Sequence, residues 1–329
     1  MTESKSTMKA IQVKQVGGPE VMEVVELPVP APKANEAVVR VSASGVNFID
    51  TYFREGRYKT SLPFVPGQEG AGVVSAVGAD ANSVRVGDRV AWTGLLGAYA
   101  DYAAVPEDRL VAIPQGVSDQ QAAAALLQGM TAHYLAHDTY PLKKGETSLI
   151  HAAAGGVGLL LVQMAHAIGA RVIATVSTEE KAKLAREAGA DEVILYSQVD
   201  FEAETKKLMG GKGVDVVYDS VGKTTFEKGL NLLRPRGMMV LFGGSSGAVP
   251  PFDLIALSQK GSLYVTRPTL VNYISTREEL VARSGAVFGM MASGTLKLRI
   301  EHTYPLAEAQ RAHRDLEGRK TTGKLLLVP

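Results

Sequence analysis

The run Ile150-His151-Ala152-Ala153-Ala154-Gly155-Gly156-Val157-Gly158 is the strongest local signal in this 329-residue chain. It follows an apolar strand-like stretch, Ser148 to His151, and opens an apolar helix-like stretch from Gly156. Ala153, Gly155 and Gly158 keep the G-x-G-x-x-G spacing, with alanine in the first place. Small residues there let a backbone approach a pyrophosphate, and a helix N-terminus adds free amides and partial positive charge. Ala154, Gly155, Gly156 and Val157 are the candidate pyrophosphate contacts. A glycine-rich turn used only for tight packing is the plainer reading. Strand, helix and a following strand in the right order weigh against it.

The following strand separates one dinucleotide from another. An NAD site usually has Asp or Glu at its end, about 20 residues past the turn, to bind the ribose 2′-hydroxyl. Here Val176-Ser177-Thr178 occupies that place, and Lys181 lies one turn further on. Hydroxyls suit a phosphate. Glu179 and Glu180 fit the start of a helix, where acids complement the dipole. Taken alone, Lys181 is a solvated helix lysine; the missing acid is the more telling fact. Together they favour NADPH over NADH.

The elements that must position these residues fall into three textures. The first third reads as strands and turns: Met8 to Val13, Met22 to Leu27, Ala37 to Ser42, Gly70 to Val77 and Arg89 to Trp92, punctuated by glycine and proline. Ser118 fits an N-cap with Gln121 three residues on. Strands are then expected at 148–151, 171–175, 192–195, 214–218 and 238–242, with helices between most of them. That alternation indicates a parallel sheet with helices on both faces, and Leu263 to Val265 is a candidate edge strand. The tail reads as a strand at Leu296 to Ile300, a helix with Leu306, Ala309, Ala312, His313 and Leu316 on one face, and a strand at Lys324 to Val328. It resembles the first third, so the middle reads as an insertion: 1–127, then 128–266, then a return at 267–329.

Composition excludes several chemistries. There is no cysteine, so disulfides, thiolate nucleophiles and cysteine-held zinc are impossible. The net charge of +1 gives no global field for nucleic acid or a membrane surface, and no basic stripe with interleaved aromatics stands out. Met1 to Lys9 is polar, without an apolar run of signal-peptide type. Val157 to Ile168 is too short and interrupted to span a bilayer. A cytoplasmic, membrane-free protein is expected.

Several motifs in order carry a resemblance over nearly the whole chain: Ser44 to Tyr52, Pro66 to Gly72, Val86 to Val90, Ala152 to Gly158 and Phe242 to Gly247. The chain resembles the zinc-independent, zeta-crystallin-like quinone oxidoreductases of the medium-chain dehydrogenase/reductase superfamily. The resemblance implies a Rossmann-type doubly wound parallel sheet inserted in a GroES-like, mainly β catalytic domain. It implies that Asn47 and Tyr52 border the nicotinamide and quinone site, and that Thr131 lies near the nicotinamide. Ser177, Lys181 and Tyr196 would hold the 2′-phosphate, and Lys324 would close that site from the tail. Phe242, Gly243, Ser245 and Ser246 would line the cofactor groove, with Arg267 a weaker substrate candidate. It also implies a homodimer or higher homo-oligomer.

Zinc-dependent members of that superfamily place cysteine where this chain has Asn47 and histidine where it has Gln68. Neither replacement suits zinc, and the six histidines form no close-spaced site. No metal is expected. The chemistry implied is hydride donation from NADPH to a quinone, with Tyr52 and Asn47 hydrogen-bonding the quinone oxygen. An enal or enone reductase shares the same features. An RNA-binding or structural, crystallin-like role is the alternative of another kind. Each site residue also has a duller reading: Tyr52 as a domain cap, Asn47 as a turn residue, Asp50 as an N-cap, Tyr196 as a strand-end aromatic.

Overall fold

The computed structural model describes residues 6–329; the first five residues of the polar N-terminal segment lie outside the described residues. Contacts divide the chain into two units. One holds residues 1–127, 274–288 and 298–329; the other holds 128–273 and 289–297.

Along the chain come β1 (Thr7–Val13), β2 (Met22–Pro28), β3 (Glu36–Val46), β4 (Glu69–Val77), β5 (Arg89–Thr93), β6 (Tyr102–Pro106) and β7 (Val111–Ala112). Next are β8 (Thr147–His151), β9 (Arg171–Val176), β10 (Glu192–Leu195), β11 (Val214–Asp219), β12 (Leu233–Leu241) and β13 (Tyr264–Thr266). β14 (Ile300–Pro305) and β15 (Lys324–Val328) close the chain.

The second unit is built on β8 to β13, all parallel, in the order β10-β9-β8-β11-β12-β13. The order reverses at β8, the topological switch point at which doubly wound sheets bind ligands outside the carboxyl ends of their strands. Helices Gly156–Ile168, Glu179–Glu187 and Phe201–Met209 connect the strands. The strands are near-continuous apolar runs because both faces are covered; Leu149, Ile173, Ile194, Val217 and Met239 lie in one buried cluster.

In the first unit a seven-stranded sheet runs β14-β15-β3-β4-β5-β7, with β6 also pairing β3, and β1 and β2 form a hairpin ribbon. β15 lies antiparallel to β3, with Leu325 opposite Val46, so the chain end is structural to the unit that begins the chain. Tail helix Ala309–Glu317 packs Ala309 and Ala312 into a cluster with Ile11, Tyr99 and Leu327.

One expected element is corrected. Leu296 to Ile300 is not a strand: its residues before Ile300 are irregular, and the strand is Ile300–Pro305. Pairing with β15 starts at Ile300, opposite Lys324, and there is no ladder before it to hold 296–299 extended. Ser118 and Gln121 do exchange capping bonds at 2.9 and 3.1 Å, opening the helix Asp119–Tyr134.

Candidate active site

In the parallel-sheet unit, the glycine turn joins β8 to the helix Gly156–Ile168. Gly155 is that helix's N-cap and makes no side-chain capping bond, and no acid lies in the first turn. The leading amides are thus left to an external acceptor. Each small residue has its own reason. A Cβ on Gly158 would strike the backbone of Ala152 and Ala153, and one on Gly156 would strike the Gln128 side chain. A Cβ on Gly155 would meet only the Ala152 carbonyl, at 3.2 Å. Ala152 takes φ +51°, a left-handed conformation that turns the chain from strand to helix. Thr131 is buried on the same helix as Gln128, one turn further on.

β9 ends at Val176, and the chain continues through Ser177 into the helix Glu179–Glu187. Thr178 is its N-cap and accepts from the Lys181 N–H at 3.3 Å. Beside it, β10 runs parallel with Leu195 opposite Val176. The Tyr196 N–H donates to the Val176 carbonyl at 3.1 Å, and the Ser197 hydroxyl to the Ser177 carbonyl at 2.7 Å. Ser177 and Tyr196 therefore stand just past the carboxyl ends of neighbouring strands, Lys181 lies in the first turn of the helix that follows β9, and Tyr196 is exposed. Glu179 faces Arg186 at 3.7 Å. These residues fit a phosphate-bearing ribose: one ammonium, two hydroxyl-bearing side chains, and no carboxylate at the strand end.

The segment after β12 is bound to the segment after β11. The amides of Phe242, Ser245 and Ser246 donate to the carbonyls of Asp219, Ser220 and Val221 at 2.9, 3.1 and 2.9 Å. Gly243 crosses Ser220 so closely that a Cβ would lie 2.6 Å from its carbonyl oxygen. The Ser246 hydroxyl donates to Val221 (2.7 Å) and accepts from the Thr224 amide (3.2 Å), so it braces the loop. Arg267 Nη1 reaches the carbonyls of Leu241 and Gly243 at 3.1 and 2.9 Å. Its guanidinium thus supports the strand end, a role that spacing alone does not reveal. Asp219, not singled out in the sequence, anchors this region: its buried carboxylate accepts from Val221, Gly222 and Thr225.

In the mixed-sheet unit, Asn47 follows β3 and starts the helix Phe48–Arg54. Its side chain is buried, with Oδ1 accepting from Lys324 Nζ at 2.8 Å. Nδ2 donates to Glu69 Oε2 at 3.0 Å and to the Gly45 carbonyl at 3.3 Å. Glu69 also pairs with Lys324 and accepts from the Leu127 amide at 2.7 Å. Glycine at 45 is required here, since a Cβ would overlap the Glu69 carboxylate. Two expectations change. Lys324 is buried on Glu69 and Asn47 and is committed there, not offered to a phosphate. Asn47 has both amide protons engaged, so it holds no proton for a quinone oxygen. Tyr52 remains the donor candidate; it is buried, with the Tyr58 ring edge-on at 5.5 Å and the Arg57 guanidinium 5.2 Å above its ring.

Asp50, expected as an N-cap, is the third residue of the helix instead: Asn47 is the N-cap, and the Asp50 carboxylate caps its amide and is a hub that the sequence did not reveal. It accepts from the Asn47 and Gln68 amides at 2.8 and 3.1 Å and from the Tyr99 hydroxyl at 3.1 Å. Burial pushes its carboxyl up to about 7 against those three bonds and the Lys324 charge. His313 lies 3.2 Å from the Tyr99 hydroxyl; burial, then the Arg54 charge, push its imidazole down to about 3. Among the described residues no three His, Cys, Asp or Glu side chains group to hold a metal ion.

A parallel sheet with a reversal at β8, an uncapped glycine turn and a mixed-sheet unit bearing a buried polar cluster define a dinucleotide-binding oxidoreductase of the medium-chain class. Residues 33–115 match the alcohol dehydrogenase GroES-like domain, and residues 156–282 match the zinc-binding dehydrogenase domain. The chain is 49% identical to a quinone oxidoreductase of Pseudomonas aeruginosa, covering 98% of this chain and 99% of that one. It superposes on the Escherichia coli quinone oxidoreductase complexed with NADPH with a TM-score of 0.95, at 48% identity, covering 98% of this chain and all of that one. It is also 42% identical to a 2-haloacrylate reductase of Burkholderia, covering 97% of this chain and 98% of that one. The chain belongs to the quinone oxidoreductases of the medium-chain dehydrogenase/reductase superfamily, and it is an enzyme.

Proposed function

We propose that this enzyme reduces quinones with NADPH and without a metal. The observation that carries the reading is the end of β9: Ser177, Lys181 and Tyr196 stand where an NAD site would need a carboxylate. When bound, NADPH supplies the hydride from its nicotinamide. Gly155, Gly156 and Val157 offer amides to the pyrophosphate, with Ala154 holding the turn. Ser177, Lys181 and Tyr196 take the 2′-phosphate. Thr131, Phe242, Gly243 and Ser245 line the groove toward the nicotinamide, and Ser246 and Arg267 hold its wall. Tyr52 donates a hydrogen bond to the acceptor oxygen as negative charge develops there. Asn47, its protons engaged, can contribute only its oxygen, as an acceptor.

Residues 1–127, 274–288 and 298–329 are read as the catalytic domain, and 128–273 with 289–297 as the nucleotide-binding domain, so the boundary expected at 266/267 falls at 273/274. The Lys324 ammonium beside Asn47 disfavours a divalent cation at that position. The test is stopped-flow oxidation of NADPH by a panel of quinones after exhaustive chelation. Turnover that persists supports the reading; turnover that vanishes and returns with zinc overturns it. A second reading, reduction of an activated alkene, is favoured by the likeness to the 2-haloacrylate reductase. No helix among the described residues is long and apolar enough to cross a membrane. A cytoplasmic homodimer is the proposed working state.

A further inference from the structure

The mixed-sheet unit contains a buried hydrogen-bonded chain outside the set of residues assigned above. Arg54, fully buried, forks onto Glu317 through Nη1 at 3.1 Å and Nη2 at 2.7 Å. The same Nη1 lies 2.9 Å from His313 Nδ1. His313 Nε2 lies 3.2 Å from the Tyr99 hydroxyl, which lies 3.1 Å from Asp50 Oδ2. Asp50 then receives the amides of Asn47 and Gln68.

The donors and acceptors give this chain one direction. A guanidinium only donates, so His313 Nδ1 accepts. The neutral ring therefore carries its proton on Nε2 and donates it to Tyr99. That leaves the single Tyr99 proton for Asp50. Protons cannot travel along the whole path, because Arg54 does not release one. Orientation is what the chain can transmit. It ties three segments to Asp50: the end of β3 through the Asn47 amide, the turn before β4 through the Gln68 amide, and the turn before β6 through the Tyr99 hydroxyl. Gly67, at φ +90°, lies so close to Tyr99 that a Cβ would come within 2.3 Å of its ring.

We propose that His313 is a positioning residue for the reduction. Through Tyr99 and Asp50 it fixes the backbone at Asn47 and Gln68, and with it the start of the short helix that carries Tyr52. Two backbone donors to Asp50 survive loss of the Tyr99 hydroxyl, so the helix still forms; what is lost is the restraint on where it begins. The inference rests on the reading of Asn47 and Tyr52 as bordering the reacting groups.

The experiment measures kcat and KM with NADPH and one quinone for the wild type, Tyr99→Phe, His313→Asn, His313→Gln, the Tyr99→Phe/His313→Asn pair, and Tyr52→Phe. Tyr99→Phe and His313→Asn should each lower kcat about three- to tenfold, the equivalent of one net hydrogen bond, with KM held within about twofold. Because they interrupt one chain, the pair should be no worse than the worse single variant. His313→Gln, which keeps a donor toward Tyr99, should recover part of the loss. Tyr99→Phe keeps the ring under Gly67, so it carries the test alone if a histidine variant fails to fold. Wild-type kcat in Tyr99→Phe, with a lower Tm and with Tyr52→Phe impaired, overturns the inference and leaves the functional reading standing. Absence of quinone turnover in the wild type, or no effect of Tyr52→Phe, overturns the site reading and this inference with it.

Discussion

The Nζ of Lys324 lies 2.8 Å from the Oδ1 of Asn47, although 277 positions separate them in the chain. The bond orients the amide, so that Nδ2 faces Glu69 and the Gly45 carbonyl. It also couples the last strand to the N-cap of the helix Phe48–Arg54. Lys324→Met would leave the Glu69 carboxylate buried with only two neutral donors. Breaking one side of a buried ion pair costs about 3–5 kcal/mol, whereas removing both sides costs far less. The expected result in urea unfolding at neutral pH is a large loss for Lys324→Met and a smaller one for Glu69→Gln/Lys324→Met. Equal losses would show that packing, not the stranded charge, decides.

Asp50 and His313 oppose each other with pH. Burial raises Asp50 from 3.8 to about 7, so the folded state holds its proton more tightly and stability falls as pH rises through that interval. Burial lowers His313 from 6.5 to about 3, so the unfolded state binds the proton first and stability falls as pH drops through that interval. Each slope is about 1.4 kcal/mol per pH unit, and the two cancel between about pH 4 and 6.5. Asp50→Asn should unmask a stability that rises with pH there, and His313→Asn one that falls. Urea midpoints at three pH values per variant check both signs. Parallel slopes in the two variants would refute the opposition.

What the sequence revealed followed from local signals. The turn at 150–158 was legible because an apolar strand, a run of small residues and an apolar helix follow one another without a break. The strands of the parallel sheet were legible from their apolar centres, such as Val172-Ile173-Ala174 and Met238-Met239-Val240, whereas the start of β12 at Leu233-Arg234-Pro235-Arg236 was not. Lys324 was not. Thr321-Thr322-Gly323-Lys324 has the polar look of a phosphate loop, and only the pairing of Leu325 with Val46 turns its side chain onto Glu69. His313 read as part of an apolar helix face, and nothing within its own helix announces Tyr99 or Arg54. Arg267 pointed to substrate by position, but two strand-end carbonyls hold it. Buried polar chains link segments far apart in sequence, so periodicity carries no trace of them.

Cofactor choice should depend on Lys181. A charge-assisted hydrogen bond contributes roughly 1.5–3 kcal/mol, so Lys181→Ala should weaken NADPH binding by about one to two orders of magnitude. NADH binding should stay near its wild-type value, since the missing group has no phosphate to meet. Fluorescence titration of both nucleotides decides the matter. Equal wild-type affinity for NADH and NADPH would end the argument from the β9 terminus.

The proposed dimer should depend on β13. Among the described residues Tyr264–Thr266 pairs only β12, which makes β13 one of the two edges of the parallel sheet, and Tyr264 is 57% exposed. Unpaired edges of this kind associate unless they are covered. Sedimentation at micromolar concentration should show a dimer or larger, and Tyr264→Lys, which puts a charge on the exposed edge strand, should shift it toward monomer. A wild-type monomer would remove the oligomer from the account.

Quinones should outperform activated alkenes, and Tyr52→Phe should lower quinone turnover while leaving NADPH affinity intact. With the Asn47 protons held by Glu69 and Gly45, the donor proposed for the acceptor oxygen is Tyr52. Removing a donor that acts mainly in the transition state can cost about 2.7–4 kcal/mol. A quinone oxygen is weakly basic and its reduction yields an aromatic product, so the loss should fall at or below the lower end of that range. An enone gains no aromaticity, and its reduction should suffer more from the same substitution. The ratio of the two losses therefore reports the role of Tyr52 independently of which substrate is faster. kcat/KM for ortho- and para-quinones and for straight-chain enals, measured on wild type and Tyr52→Phe, supplies both numbers. Faster wild-type turnover of enals would replace quinone reduction with alkene reduction as the function. An unchanged quinone rate in Tyr52→Phe would make Tyr52 a packing residue, with the proton delivered by solvent.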